Sequence, residues 1–361
     1  MNKEKKSLIQ SIADGNVLYT IIAIVVGFIV GAILLAVIGI SPVTAYGKLI
    51  TGALSKPKYI AWSVVYATPL ILTGLSVAFS FKTGVFNIGA EGQFVVGSLA
   101  ASVVGVCVSL PPVLHAVVCA LAAMAAGGLW GAIVGLLKVK KGINEVLSYI
   151  MFNWIAYYLS NYMVNLPFLE NEGNVEATKN IQDSASIVCP EWLTSLTGCA
   201  YTNWGILIAI VVAVVIWVII NKTTLGYQLR AVGFNKNAAE YGGINSNAAF
   251  LKAMAISGAL SGLGGMVQLC GMSYRISQFA GQEGYGFQGI TVALIGSSNP
   301  IGCIFAGLFY GIMKYGGTKL TLINAPSEVI DIIMGVIVLF IAVSHVFKVL
   351  LTNRKKGGKK K

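Results

Sequence analysis

Charge is scarce in this chain. Only 11% of its 361 residues are Asp, Glu, Lys or Arg, where a soluble domain carries roughly 25%. So little charge cannot cover the surface of a water-soluble domain, and the mean hydropathy of +0.79 agrees. Histidine is nearly absent. His115 and His345 lie in or beside apolar runs and read as packing or interfacial residues. There is no nucleophile–base constellation and no His/Cys spacing of a metal site, so no catalytic residues and no metal are expected. A Walker-type phosphate loop is missing too, which excludes ATP binding by that motif. Alternating segments of about 10 residues, the mark of a membrane β-barrel, are not found. Acidic residues number 13 against 25 basic ones. No aromatic-interleaved basic patch accompanies the excess, so nucleic acid is not an expected partner. Six basic residues (Arg354, Lys355, Lys356, Lys359, Lys360, Lys361) fall among the last eight, and Lys3, Lys5 and Lys6 open the chain. Such clusters read as cytoplasmic anchors on anionic lipid.

What is abundant is apolar sequence, 56% of the chain. Runs such as 17–40 and 204–220 reach the roughly 20 residues that a spanning helix needs. The first far exceeds the roughly 7–15-residue core of a signal peptide, so it reads as an uncleaved span. The expected fold class is all-α, a polytopic helical membrane protein with about ten transmembrane spans and a range of 8–10. The spans fall at 17–40, 59–81, 86–109, 112–137, 143–165, 204–221, 248–271, 286–297, 301–320 and 328–350. The eighth is too short to cross unaided and reads as a half-helix or part of a hairpin with the ninth. Broken or short helices are expected near 84–93 and 281–297. Residues 1–16 and 351–361 form tails around one membrane domain, 17–350.

Lys and Arg in the loops set orientation. Lys82, Lys138, Lys140, Lys141, Lys222, Arg230 and Lys236 fall on the side of the termini. The opposite loop, 166–203, holds Glu170, Glu172, Glu176, Asp183 and Glu191 against Lys179. Both termini are therefore expected in the cytoplasm, with Lys48, Lys56 and Lys58 running against the trend. Loop 166–203 is read as a small extracytoplasmic cap. Its Cys189 and Cys199 could form a disulfide on an oxidising side. The other four cysteines lie in apolar runs, as small buried hydrophobes.

Polar groups at membrane depth are costly and point to function. NIGAEGQFVVG, residues 87–97, sets Asn87, Glu91 and Gln93 among glycines before an apolar helix. Residues 281–290, GQEGYGFQGI, repeat the theme with Gln282, Glu283 and Gln288. Interrupted helices are tolerated where they are buried in protein or line a cavity. The pathway candidates are Asn87, Glu91, Gln93, Asn144, Glu145, Asn153 and Gln288. The 87–93 residues either line a path or hold the break in place. A first-turn carboxylate favoured by a helix dipole is an alternative at Glu91, at Glu145 and at Glu328 and Asp331, and it is the preferred reading for the last two, just after Pro326. Glycines in GLWGAIVGLL (128–137), SGALSGLGGM (257–266) and GCIFAGLFYG (302–311) are spaced for close helix packing.

The loop 222–252, KTTLGYQLRAVGFNKNAAEYGGINSNAAFLK, predicts one short helix containing NAAEY. Asn235 and Asn237 are its N-cap candidates, and Gly242 and Gly243 can end it. A helix that short needs a partner surface. On the cytoplasmic side it would be a handle by which a soluble protein moves the membrane part.

Taken together, FNIGAEGQFVVGSLAA (86–101), GINEVLSYIMFNWIA (142–156) and the long stretch 225–266 resemble permease subunits of bacterial ABC importers for branched-chain amino acids and simple sugars. The branch is similar to that of nucleosides and simple sugars, and loop 166–203 resembles the larger permease of nucleoside-type systems. The resemblance implies a multi-pass permease in the bacterial cell (inner) membrane, without catalysis of its own. It implies a second, shorter permease, an ATP-binding subunit carrying ATP and Mg, and a substrate-binding lipoprotein or periplasmic protein. No cofactor is expected on this chain. Arg230, Asn235, Asn237, Ala238, Ala239, Glu240, Tyr241, Gly243 and Ile244 match the ATPase-coupling loop. A nucleoside is the expected solute, with a pentose or other simple sugar as the alternative. The rival from another class is a gradient-driven transporter or channel using Glu91 or Glu145 as a proton or cation site.

Overall fold

The computed structural model of the protein describes residues 16–343, apart from Glu172, Ser327 and Ala342. The basic clusters of both tails, His345 and Glu172 lie outside the described residues. Helices dominate because a backbone in lipid must satisfy its own hydrogen bonds. They are α1 (Asn16–Val37), α2 (Pro42–Leu54), α3 (Pro57–Phe81), α4 (Ala90–Cys107), α5 (Leu114–Lys141), α6 (Glu145–Val164), α7 (Glu191–Thr197), α8 (Gly205–Lys222), α9 (Thr224–Phe234), α10 (Lys236–Tyr241), α11 (Ser246–Gln268), α12 (Tyr285–Ile295), α13 (Pro300–Gly317) and α14 (Val329–Ile341). A five-residue π-turn, Leu269–Ser273, extends α11. Among the described residues, six helices are long and apolar enough to cross a membrane.

The half-helix expected at 286–297 is present, and other segments resolve differently. The run 286–297 is the 11-residue α12, about 16 Å long at the usual rise, so it is a half-helix. The span expected from 86 begins at Ala90, because residues 82–89 form a turn. Residues 42–54, read as a loop, are helical: Pro42 pre-sets the first turn and apolar residues follow. Loop 222–245 contains two helices where one was expected. The fold is mostly helical, as expected; the departure among the described residues is a pair of short antiparallel strands, β1 (Glu170–Asn171) and β2 (Asn174–Thr178).

The described residues form two compact units: 16–52 with 316–343, and 53–315. In the first, the Tyr46 hydroxyl donates to the Phe28 carbonyl at 2.5 Å, tying α2 to α1. In the second, α3 and α11 are the interior pillars. In their most apolar stretches 83% and 78% of residues are buried, against 28% in α8, which therefore faces its surroundings. Glycine makes that density possible. A Cβ on Gly97 would lie 2.3 Å from Gly262 Cα, and one on Gly127 would lie 2.4 Å from the Gly258 carbonyl, so α4, α5 and α11 meet backbone to backbone. The segment after α6 is a built cap. Thr178 N–H donates to Ile276 O at 2.8 Å, Gln182 N–H to Gly105 O at 2.9 Å and Ile187 N–H to Cys270 O at 3.1 Å. It covers the C-terminal ends of α4 and α11. Cys189 and Cys199 are buried there as free thiols, so the possible disulfide is not formed. The Cys189 N–H instead pairs the strand-like segment to Thr202 O at 2.8 Å.

Candidate functional site: an interior polar knot and an exposed two-helix segment

Asn87 and Gln93 are 0% exposed and Glu91 is 1% exposed. A polar group buried this deeply needs partners. The Asn87 amide donates to Gln93 Oε1 at 2.8 Å, Ser257 Oγ at 2.6 Å and Ser76 Oγ at 3.2 Å. The Gln93 amide returns a bond to Asn87 Oδ1 at 3.2 Å. Ser257 also donates to the Ser76 carbonyl at 2.8 Å, and Ser261 to the Ala90 carbonyl at 2.5 Å. The turn 82–89 is thereby fastened to both pillars, α3 and α11.

Glu91 does something else. Its carboxylate accepts the N–H of Gly284 and of Gly286, each at 2.7 Å. Those are orphan donors at the start of the half-helix α12, where a negative charge is favoured. The two glycine-interrupted segments thus meet through one carboxylate. The fit is tight: a Cβ on Gly286 would lie 2.1 Å from the Glu91 nitrogen. Asn153 joins the same assembly, accepting from Gly92 N–H at 2.9 Å and donating to Ile88 O at 3.1 Å. Gln288, on α12, accepts from Lys314 Nζ at 2.7 Å.

Asn144 and Glu145 stand apart from this knot. Asn144 caps α6, accepting from Val146 and Leu147 N–H at 2.9 and 3.3 Å. Glu145 pairs with Lys138 across the α5–α6 turn. Both are at the end of the bundle that carries the α9–α11 segment, so they brace a turn. Local sequence could not show that Ser76, Ser257 and Lys314 complete the knot. Ser257 and Lys314 lie far away along the chain, and Ser76, eleven residues before Asn87, is an unremarkable serine of its own helix.

The second site is the run α8–α11. Thr223 links α8 to α9, its hydroxyl donating to Ile219 O at 2.6 Å and accepting from Gly226 N–H at 3.2 Å. Asn235 caps α10 through Ala238 N–H at 3.0 Å; Asn237 lies inside the helix and is not the cap. Gly243 turns the chain at φ +80° and Asn245 caps α11. Glu240 accepts from Ser246 and faces Lys236 at 4.0 Å. Ala239 is buried, and the Ile244 N–H donates to its carbonyl at 3.0 Å. Arg230 Nε donates to the Gly226 carbonyl at 3.3 Å along α9. Tyr241 is 95% exposed and Phe234 89%. Beside them is a cavity of about 520 Å³ lined by Gly84, Lys138, Asn235, Lys236, Ser246 and Phe250, among others. A Cβ on Gly233 would lie 2.3 Å from the Lys82 carbonyl, so the end of α9 rests directly on the turn 82–89. Burial there holds the Lys82 ammonium below its ordinary pKa.

Residues 59–342 match the family described as "Branched-chain amino acid transport system / permease component". The chain belongs to this permease family. It is a transport component of a multi-pass membrane system and not an ATPase. It is 38% identical over 344 residues to the guanosine ABC transporter permease protein NupP of Bacillus subtilis, covering 95% of this chain and 98% of that one. It is 36% identical to the nucleoside ABC transporter permease protein NupB of Lactococcus lactis, covering 94% of each chain. The glucose ABC transporter permease protein TsgB13 of Haloferax volcanii is 32% identical, over 93% of this permease and 89% of the relative. B. subtilis holds a further, more distant match, the guanosine permease NupQ, 29% identical over 70% of this chain and 79% of that one. No solved structure gave a significant match.

Proposed function

We propose that this permease is one of two membrane subunits of an ATP-driven nucleoside importer in a bacterial cell membrane. The observation that carries the coupling half of the reading is the α9–α10 segment. Its ends are capped by Thr223, Asn235 and Asn245, and it presents Tyr241 and Phe234 outward. Exposed large aromatics on a rigid, capped platform are interface residues. An ATPase docked there would find α10 as its handle, with ATP and Mg held on that partner. The nucleoside half follows the two most similar permeases named here, both nucleoside proteins, each covered over almost its full length. The match to two guanosine permeases of one organism supports a second, different permease as the other half of the path. The likeness to a glucose permease keeps a sugar as the second reading.

Ten crossings with both ends in the cytoplasm fit the six long apolar helices together with α6, the α12–α13 pair and α14. The cap 166–203 then faces outward, where a solute-binding protein would dock. The gradient-driven rival loses ground because Glu91 and Glu145 already have partners: two backbone N–H groups for one, Lys138 for the other.

ATP-dependent uptake of labelled nucleosides and sugars tests the reading. The chain is reconstituted in liposomes with its second permease, ATPase and binding protein. Nucleoside uptake that sugars do not compete is the expected result. Uptake of a sugar alone moves the solute assignment. Flux without any ATPase overturns the importer.

A further inference from the structure

Two features near the cap are unused by the knot and the coupling segment. The first is an aromatic wall. Trp62 and Tyr66, one turn apart on α3, have ring centroids 6.0 Å apart. Tyr315 of α13 lies 6.0 Å from Trp62 with its plane only 7° away, and 5.9 Å from Tyr66. From the cap side, Tyr201 comes within 4.9 Å of Trp62 and Tyr274 within 6.1 Å of Tyr201. Trp62, Tyr66, Tyr201 and Tyr274 are half-buried, so part of each remains accessible, whereas Tyr315 is buried, 6% exposed, and backs the Trp62 ring.

The second feature is a polar recess of about 180 Å³ whose lining includes Ser98, Gln268, Ser273, Arg275, Ser277 and Glu283. Arg275 and Glu283 are exposed, and among the described residues neither is in an ion pair. Tyr274, the last ring of the wall, lies between two residues of this lining, Ser273 and Arg275. The recess is smaller than the roughly 300 Å³ at which pockets for drug-sized ligands begin, so it can take only part of a solute. Its amide, hydroxyl, guanidinium and carboxylate groups suit a polyol. The wall offers what a polyol does not need: flat faces for a flat ring.

We propose that the wall and the recess form one station on the translocation path, the nucleobase stacking on the accessible parts of Trp62 and Tyr66, with Tyr315 backing Trp62, and the ribose hydroxyls held by Gln268, Arg275 and Glu283. This rests on the importer reading and assigns the solute-contacting residues, which are not those of the 87–93 knot. Stacking tolerates base identity, because every base has a π-face. The station therefore accepts purine and pyrimidine nucleosides and takes free ribose poorly.

The test uses the complete reconstituted importer. An azido-purine nucleoside is photolysed during turnover and its adducts are mapped by mass spectrometry. Adducts on Trp62 or Tyr66, suppressed by excess guanosine but not by ribose, are expected. Trp62→Leu should lower the maximal nucleoside uptake rate about 10-fold, whereas Trp62→Phe should keep most of it. If Trp62→Leu does not copurify with its partners, the double variant Arg275→Gln/Glu283→Gln on the exposed recess is the readout, with a several-fold loss expected. Wild-type nucleoside uptake with adducts elsewhere and with undiminished rates in these variants overturns the station while the importer reading stands. A wild type that imports sugars alone overturns both.

Discussion

The interior knot and the α9–α10 segment invert each other's chemistry. In the knot, polar side chains that belong in water are sealed inside. On the segment, Tyr241 and Phe234, rings that belong in a core, stand in the open. Buried polar groups and exposed apolar groups are the informative departures from ordinary burial. The knot is satisfied within the chain: each amide and carboxylate of 87–93 has protein partners. The exposed rings have no such closure. Self-completion is what a bracing role requires of the knot, and the open rings are what the proposed ATPase docking would use.

That contrast can be broken by asking which changes cost the fold and which cost only a partner. Gly286→Ala is expected to have the largest effect on the fold. Its methyl would occupy the space of the Glu91 backbone, which cannot swing away as a side chain can. Loss of folded protein in detergent-solubilised membranes, read by size-exclusion profile, is expected; a normal profile would show that α12 can shift freely. Glu91→Leu comes next. It strands two N–H groups, that of Gly286 buried and that of Gly284 part-buried, at up to about 1–3 kcal/mol each, so the melting temperature should fall clearly. Glu91→Gln, which keeps one acceptor, should fall between it and the wild type. Asn87→Ala removes the hub of three donated bonds. It should destabilise by about 1–3 kcal/mol, more than Asn299→Ala. Asn299 caps α13 through Ile301 N–H at 3.0 Å on an exposed turn, a contact worth about 1 kcal/mol. Equal melting shifts would sink the bracing role. Tyr241→Asp should have the smallest effect on the fold, within about 0.5 kcal/mol for so exposed a residue, yet uptake and ATPase copurification should both be lost. Normal copurification in Tyr241→Asp would remove the docking role and with it the contrast.

Much of the scaffold was legible locally. The glycine spacing of 128–137 and 257–266 foretold the backbone contacts, and Asn235 read as a cap because its partner is three residues away. NIGAEGQ announced an interruption. Whether it lined a path or braced a turn was not legible, since that depends on Ser257 and Gly286, about 170 and 195 residues further along. Helices α2 and α9 were missed because they are short and mixed in polarity, and their neighbours decide their state. The aromatic wall was invisible for the same reason: Trp62, Tyr201 and Tyr315 come from three distant elements.

Gly233 against the Lys82 carbonyl joins the two regions compared above. Side chains between moving parts act as springs, changing rotamer and swallowing small displacements. Here no side chain intervenes. In the proposed importer, a shift of α9 would reach the turn that Asn87 anchors with no side chain between them to absorb it, a joint built for little backlash.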